Sequence, residues 1–300
     1  MQLRQRSLIG RLKDIFVYSL VPLGTKPAVA PTSLLQLVVF HFFHVILIGL
    51  HILVAVAILV SRQYHVLKNN LLAFLYHHHR TPQLIAQDIQ ALSKIPRDVA
   101  VVLSYKESEE GGGLLGLMEQ VADIASWCIG AGVKHLSVYE RTGQLLDAHE
   151  ATYSVIQRTL VSYYGSQKLP TVRLSTPRFR TAYPGPLQGE PELEISFICE
   201  KDGRQFLVEL TQDYANKAIR GEMDPSEVTV DRIGKDVVDW IVSEPDLVII
   251  FGPKLDLDGF PPWHVRLSEI YYTKYNNTVT YSVFLRGMRQ YADCKINIGR

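Results

Sequence analysis

Cysteine is scarce in this 300-residue chain, and the short motifs of common hydrolases are missing. The three cysteines, Cys128, Cys199 and Cys294, are odd in number and far apart, which fits neither a disulfide framework nor a metal knuckle and favours a reducing compartment. The chain has no Gly-x-Ser-x-Gly elbow, no Cys-His-Asn set and no His-Glu-x-x-His pair. The motif search therefore gives no support to a serine hydrolase, a cysteine protease or a zinc protease.

Acidic side chains are almost missing from the first 80 residues. This stretch holds eight Lys/Arg and one acid, Asp14, whereas residues 81–300 hold 23 Lys/Arg and 29 Asp/Glu. The net charge of +1 for the whole chain therefore combines a basic arm with a mildly acidic body.

Between the arm and the body lies an uncharged apolar run, residues 34–60, which predicts a transmembrane helix. Twenty of its residues are Leu, Ile, Val or Phe, and together they favour insertion by roughly 6 to 12 kcal/mol. A cleaved signal peptide is the alternative, but its apolar region is roughly half as long. The run is ~40 Å long as a helix and the hydrocarbon core is ~30 Å thick, so we expect tilt or frayed ends.

Charge does not settle the orientation of this helix, because basic residues lie on both sides of it. The sequon at Asn276 offers a topology test, since it can be glycosylated only if the body is lumenal. The predicted organisation is a basic arm at 1–33, the transmembrane helix at 34–60, a helical juxtamembrane connector at 61–94 and a folded body at 95–300.

The body alternates continuous apolar strands with amphipathic helices. The predicted strands are 99–103, 136–139, 193–199 and 246–251, and the predicted helices are 114–129, 145–164, 204–220, 230–242 and 281–294. This pattern predicts an α/β fold with a mostly parallel sheet flanked by helices. The stretch 182–189 is predicted to be a surface loop.

In such sheets ligands bind beyond the carboxyl ends of the strands. The first of these ends, residues 104–113, carries Glu107, Glu109 and Glu110, whose charge has the wrong sign for a phosphate cradle. A flexible acidic surface loop is therefore favoured there.

The second strand end, residues 251–264, offers Asp256 and Asp258 as metal ligands and His264 as a base. None of the three has a partner at a recognisable spacing, so a solvated turn is favoured over a metal site. Trp263, which follows two prolines, is predicted to anchor either internal packing or a partner.

Histidines in the apolar run form a further candidate. His41, His44 and His51 share one helical face. A haem or metal site would need a ligand from another helix, so packing or snorkelling is favoured. The cluster at 76–80 is predicted to lie near lipid headgroups.

Three ordered segments carry a family resemblance: residues 123–143, residues 251–270 and residues 289–294 with the glycine near the end of the chain. In these segments the chain resembles the Nogo-B receptor family, the non-catalytic subunit of eukaryotic dehydrodolichyl diphosphate synthase. The resemblance covers residues 95–300 and the N-terminal membrane arrangement. It implies the fold of cis-prenyltransferases such as undecaprenyl diphosphate synthase.

The resemblance also implies that this chain lacks catalytic residues of its own. Active members carry an Asp-Gly-Asn-Arg-Arg-like motif after the first strand, where the aspartate holds Mg²⁺, and an Arg-rich segment after the late strand. This chain has Ser-Tyr-Lys-Glu at 104–107 and Phe-Gly-Pro-Lys at 251–254 instead. The expectation is therefore no metal on this chain, with Mg²⁺ held in the active site of a partner subunit.

In that family the C-terminal tail carries an Arg-x-Gly motif that reaches into the partner's active site and supports isopentenyl diphosphate binding. Here Gly299 matches the glycine, Asn297 stands at the arginine position, and Arg300 follows. The resemblance thus implies that Asn297, Gly299 and Arg300 contact the substrate in trans.

The resulting hypothesis is a membrane-anchoring, activating subunit of a dehydrodolichyl diphosphate synthase, serving dolichol synthesis and protein glycosylation. It is expected at the endoplasmic reticulum membrane with its body in the cytosol, and no nucleic-acid partner is expected. Trp263, Phe284, Met288 and Tyr291 are the predicted partner interface. The alternatives are a membrane receptor or scaffold without a role in prenyl transfer, and a divergent enzyme that needs no partner.

Overall fold

The computed structural model describes residues 34–75, 81–107, 112–176, 181–185 and 189–295. The chain divides into two compact units, Met1–Ser61 and Arg62–Arg300. Several predicted features lie outside the described residues: the basic arm, the cluster at 76–80, Glu109 and Glu110, and the tail residues Asn297, Gly299 and Arg300.

The apolar run forms part of a long helix, α1, which spans Leu34–Leu75. Its stretch Leu37–Leu75 is long and apolar enough to cross a membrane, and none of its most apolar window is buried inside the protein. At about 1.5 Å per residue, 42 residues give a helix of ~63 Å, about twice the thickness of a hydrocarbon core. The helix therefore continues well beyond residue 60, through much of the predicted connector.

The body is an α/β fold with a seven-stranded sheet in the order β4-β3-β5-β2-β1-β6-β7. The strands are β1 Asp98–Leu103, β2 His135–Glu140, β3 Val172–Thr176, β4 Thr181–Tyr183, β5 Leu193–Ile198, β6 Leu247–Ile250 and β7 Glu269–Tyr272. All neighbouring pairs are parallel except β3 with β4. The predicted mostly parallel sheet is confirmed.

Helices cover both faces of this sheet. They are α2 Pro82–Gln90, α3 Gly113–Ala131, α4 Gln144–Asp147, α5 His149–Tyr164, α6 Arg204–Ile219, α7 Val230–Trp240 and α8 Tyr281–Asp293. Successive side chains of a strand point to opposite faces, so Val101 joins the core under α3, α5 and α8, while Val102 joins the core under α6 and α7. We call the side of the sheet under α3, α5 and α8 face one, and the side under α6 and α7 face two.

Three strands were not predicted, and one predicted helix is divided. β3 alternates buried with half-buried residues, and β7 is an edge strand of four half-buried residues, so neither shows the continuous apolar pattern of a central strand. β4 takes Ala182 and Tyr183 out of the predicted surface loop at 182–189. The predicted helix 145–164 divides at Ala148 into α4 and α5.

Candidate functional site

The candidate site lies at the carboxyl edge of the sheet, around β1. The chain passes from β1 to β2 on one side and later returns to β6 on the other, so the topological switch lies between β1 and β6. Open α/β sheets bind ligands at this point. Here it is bordered by residues 104–107 after β1 and residues 251–254 after β6.

A loop that follows β7 ties these two strand ends together. Lys106 Nζ donates a hydrogen bond to the carbonyl of Asn277 at 2.7 Å. The backbone N–H of Tyr275 donates to the carbonyl of Pro253 at 3.1 Å, with Tyr275 in the left-handed region at φ +57°. The two strand ends of the switch are therefore linked by the chain's own groups.

A second set of contacts joins the loops after β2, β5 and β6. The Arg141 guanidinium contacts Glu200 Oε2 at 3.1 Å and Asp258 Oδ1 at 3.0 Å. Beneath it, the Tyr139 hydroxyl donates to the carbonyl of Asp258 at 2.6 Å. Burial, followed by the charges of Asp258 and Glu200, raises the pKa of Tyr139, so the hydroxyl remains a neutral donor. We call Arg141, Glu200 and Asp258 the Arg141 bridge.

Two glycines allow the backbones of these loops to touch. A Cβ atom added to Gly203 would lie 2.6 Å from the carbonyl oxygen of Gly259 and 3.1 Å from that of Glu200. Gly259 itself has a φ of +90°, which a side chain rarely tolerates. The loops after β5 and β6 are thus packed backbone to backbone.

We expect Gly203→Ala to destabilise the body by about 2 kcal/mol, because the added methyl group must push two backbone segments apart. The midpoint of thermal unfolding in detergent, followed by tryptophan fluorescence, measures the loss. Gly185→Ala is the matched control, since nothing lies within 4 Å of a Cβ there. Equal stability of the two variants would contradict the close packing of these loops.

Glu140, the last residue of β2, is a buried carboxylate that the sequence did not single out, with 2% of its surface exposed. Its Oε1 accepts the N–H of Thr142 at 2.8 Å, and its Oε2 accepts the N–H groups of Gly143 at 2.8 Å and Gln144 at 3.2 Å. The Thr142 hydroxyl lies 2.8 Å from both oxygens. The Glu140 carboxylate thus occupies the backbone N–H donors that follow β2.

The structure places the predicted metal and base candidates in structural roles. Asp256 Oδ1 accepts the N–H of Asp258 at 2.9 Å, which forms the turn that was favoured over a metal site. His264 is fully buried, its Nε2 lies 2.8 Å from the carbonyl oxygen of Val242, and burial lowers its pKa. The hypothesis that His264 acts as a base is wrong, because the ring is sealed in the core.

Magnesium does not fit the strand ends that surround the switch. Mg²⁺ prefers several carboxylate oxygens, whereas the end of β1 offers the single carboxylate of Glu107 beside Lys106, and Arg141 pairs with the carboxylates of Glu200 and Asp258. Within the described part of the chain, no group of three or more His, Cys, Asp or Glu side chains is placed to hold a metal ion.

The histidines of α1 make local contacts. His44 stacks on Phe40 with ring centroids 5.8 Å apart, and His51 Nδ1 lies 2.8 Å from the carbonyl oxygen of Leu47. These are contacts within one helix, so packing in a helix bundle stays a prediction for these histidines.

The four predicted interface residues do not share a surface, which corrects that prediction. Phe284 and Met288 are fully buried and Tyr291 is 7% exposed, all in the face-one core. Trp263 packs on face two. The apolar face of α8 is real, but the chain's own sheet covers it.

Exposed apolar side chains of the body concentrate on face two instead. Val228, Val230, Val238 and Trp240 are between 39% and 61% exposed, and we call them the α7 patch. Beside them lies an apolar groove of about 570 Å³ between α6 and α7, bordered by Leu207, Met223, Ile233 and Trp263 among others. Of the four predicted interface residues, Trp263 is therefore the one that borders an open apolar surface.

The end of α8 lies at the amino edge of the sheet. Cys294 Sγ donates to Glu269 Oε2 at 3.3 Å, and Lys94 Nζ donates to the carbonyl of Cys294 at 2.6 Å. Glu269 of β7 pairs with Leu247 of β6, which in turn pairs with Val99 of β1. Glu269 is therefore level with the start of β1. The chain therefore leaves the last helix at the edge opposite the candidate site.

Asn276 cannot serve as the predicted topology test. Its side chain is 3% exposed, and its amide nitrogen is buried without a hydrogen-bond partner in the described part of the chain. A glycan attached to that nitrogen is incompatible with the folded body, so an unmodified Asn276 is expected on either side of a membrane.

The sequence of this chain is similar to the sequences of known proteins. The chain is 35% identical over 279 residues to the dehydrodolichyl diphosphate synthase complex subunit NUS1 of Saccharomyces cerevisiae, covering 87% of this chain and 74% of that protein. It is 33% identical to the corresponding nus1 subunit of Schizosaccharomyces pombe, covering 76% and 86%. The crystal structure of lavandulyl diphosphate synthase from Lavandula x intermedia matches 69% of this chain and 99% of its own, at 17% identity and a TM-score of 0.46. No protein-family model matches the chain.

Proposed function

Since this chain belongs to the family of NUS1 subunits of the dehydrodolichyl diphosphate synthase complex, we propose that it is the membrane-anchoring, activating subunit of such a complex. In this proposal a catalytic cis-prenyltransferase subunit extends a polyprenyl diphosphate with isopentenyl diphosphate for dolichol synthesis. The observation that carries the proposal is the identity of 35% across most of both chains.

The strand ends support a non-catalytic role for this chain. A diphosphate substrate with its Mg²⁺ needs free carboxylates for the metal and free cations for the phosphates. At this edge Lys106 donates to a backbone carbonyl, Arg141 is paired with two acids, and Glu140 occupies the N–H groups after β2. Among the described residues, the two strand ends offer one exposed acid, Glu107, and one exposed cation, Lys254. Mg²⁺ and the diphosphate chemistry are therefore assigned to the partner subunit.

The position of α8 supports a tail that acts in trans. Cys294 follows α8 and contacts Glu269, which lies at the amino edge of the sheet, opposite the strand ends that border the switch. The described part of the chain therefore ends on the side of the sheet away from its own candidate site. Asn297, Gly299 and Arg300 are thus suited to a neighbouring subunit's pocket rather than their own.

The catalytic partner is proposed to dock on the α7 patch, beside Trp263. Aromatic anchors next to exposed apolar side chains are typical of binding hot spots. The α7 patch offers Trp240 at 43% exposure and Val230 at 61%. The buried residues Phe284, Met288 and Tyr291 have no part in this revised interface.

We expect Val230→Asp to reduce recovery of a co-expressed catalytic subunit about tenfold or more, because a charge would be desolvated at the interface. Affinity purification followed by quantification of both subunits gives the measurement. Val161→Asp is the matched control, because Val161 is a 43% exposed valine of α5 on the opposite face of the sheet. Equal recovery with both variants would contradict docking at the α7 patch.

Location follows from the anchor and from the product. A long polyprenyl chain must partition into lipid. A complex held at a membrane therefore releases this product next to the lipid that dissolves it. We propose the endoplasmic reticulum membrane, with the body in the cytosol. Glu227→Asn creates the sequon Asn-Val-Thr at an exposed position and tests the orientation, because a glycan there requires a lumenal body.

One experiment tests the proposed function as a whole. The full chain, a candidate catalytic subunit and the pair are each purified in detergent and supplied with Mg²⁺, an allylic diphosphate and labelled isopentenyl diphosphate. The proposal expects the pair to elongate far faster than either subunit alone. Elongation by this chain alone would establish the self-sufficient enzyme. Stable pairing without any gain in activity would favour the receptor or scaffold.

A further inference from the structure

The end of α1 exposes a regular apolar seam that its own body leaves uncovered. Tyr64, Leu67, Leu71 and Phe74 are 62%, 70%, 56% and 70% exposed. Their spacing of three, four and three residues places them on one face of the helix. We call these four residues the α1 seam.

The body occupies the other side of the same segment. Asn69 Nδ2 donates to the carbonyl of Lys274 at 3.3 Å, and the ring of His65 lies 6.0 Å from that of Tyr275. The half-buried residues of the segment are 65, 66, 69, 72 and 73. Among the residues that the structure describes, the body thus covers one face of the helix end and leaves the α1 seam unpartnered.

Polar residues of this segment avoid the seam. Between residues 61 and 75 they are Ser61, Arg62, Gln63, His65, Lys68, Asn69 and Asn70. In a heptad numbered from Tyr64 as position a, every one of them falls outside a and d. The same spacing of three and four runs back along α1 through Val60, Ala57, Leu53 and Leu50. The seam therefore continues into the apolar part of the helix without a break.

We propose that the α1 seam pairs with the α1 seam of a second copy of this chain, forming a parallel two-helix contact that continues from the membrane into the first turns beyond it. A partner for a seam that starts inside the apolar run has to share its membrane, its direction and its depth. A second copy meets these three conditions by construction, and a two-fold axis makes the contact self-complementary.

Charge is compatible with this pairing. In a parallel two-stranded contact, position g of one helix faces position e of the next heptad on the other helix. Here Gln63 would face Lys68 of the second copy, and Asn70 would face Leu75. The segment 61–75 contains no acid and places its two cations, Arg62 and Lys68, so that neither faces its own kind across the axis. Like-charge repulsion therefore does not oppose the dimer.

Cysteine cross-linking of the full chain in membranes tests the proposal. In a Cys294→Ser background, where Cys128 and Cys199 remain buried, Leu67→Cys is compared with Arg62→Cys. Both positions are exposed, but Leu67 lies in the seam and Arg62 lies outside it at position f. Mild oxidation without any catalytic subunit is expected to convert Leu67→Cys to a disulfide-linked dimer at least about tenfold faster than Arg62→Cys.

Three results would overturn the proposal. Equal cross-linking at the two positions would mean random collision in the membrane. Cross-linking of Leu67→Cys to a catalytic subunit, in place of a second copy, would assign the seam to that partner. A blue shift of an environment-sensitive dye at Leu67→Cys in phosphatidylcholine vesicles, without any dimer, would assign the seam to lipid. Synthase activity enters none of these readouts, so failure here is distinct from failure of the proposed function.

Discussion

Removing residues 297–300 is expected to lower the synthase activity of the co-expressed pair about tenfold or more, while both subunits still purify together. The tail would supply hydrogen bonds to a diphosphate, and each charge-assisted bond contributes about 1.5 to 3 kcal/mol, or roughly tenfold to a hundredfold. Because α8 ends at the amino edge, the loss would occur in the partner's pocket. The rate of labelled isopentenyl diphosphate incorporation gives the measurement.

Two point variants refine this expectation. Gly299→Ala should lower the rate by obstructing a close backbone approach to the anion, whereas Asn297→Arg restores the family's arginine and should keep or raise it. The Michaelis constant for isopentenyl diphosphate should rise when the tail is cut. Full activity of the shortened chain would refute a tail that acts in trans, even if the complex itself forms as proposed.

Glu140→Ala is expected to lower the free energy of unfolding of the body by about 3 to 4 kcal/mol. The substitution removes the buried acceptor of three N–H groups, those of the exposed Thr142 and the half-buried Gly143 and Gln144. Each unsatisfied buried group costs about 1 to 3 kcal/mol, and partial access of water limits the sum. Thermal unfolding in detergent, followed through the chain's three tryptophans, measures the effect.

Two further variants distinguish the cap from the loss of any glutamate. Glu140→Gln keeps one acceptor oxygen but adds an amide that donates, so it should fall between Glu140→Ala and the unmodified chain. Glu190→Ala, at an exposed position, should change stability by less than about 0.5 kcal/mol. If the two alanine variants were equally stable, the buried carboxylate would have no capping role.

The central part of the fold was predictable because its signals are local. β1 and β6 are almost entirely apolar, β2 and β5 carry apolar residues with a few polar ones between them, and α3, α6 and α8 begin and end within one or two residues of the predicted bounds. The edge strands β4 and β7 were missed, as was β3 beside β4, since a strand with one paired neighbour or a half-exposed face need not be continuously apolar. Their identity depends on which strand lies beside them.

Contacts between distant residues were out of reach for the same reason. The Arg141 bridge joins residues 59 and 117 positions apart in the sequence. The residue types identified Asp256 and Asp258 only as possible metal ligands. They also showed that α8 has an apolar stripe, but not what the stripe contacts. Whether such a stripe faces a sheet or a partner is decided by packing, and for Phe284 and Met288 the sheet covers it.

The Arg141 bridge finally bears on how the loops at this edge of the sheet could be opened. One guanidinium connects loops from three strands, beneath which two glycine backbones already touch. An aspartate introduced at Ser104 would add a possible ligand beside loops that the Arg141 bridge still holds together. Removing Arg141 alone would leave two acids without a paired cation. Opening these loops therefore takes changes at more than one position, because the close glycine contacts remain when the Arg141 bridge is released.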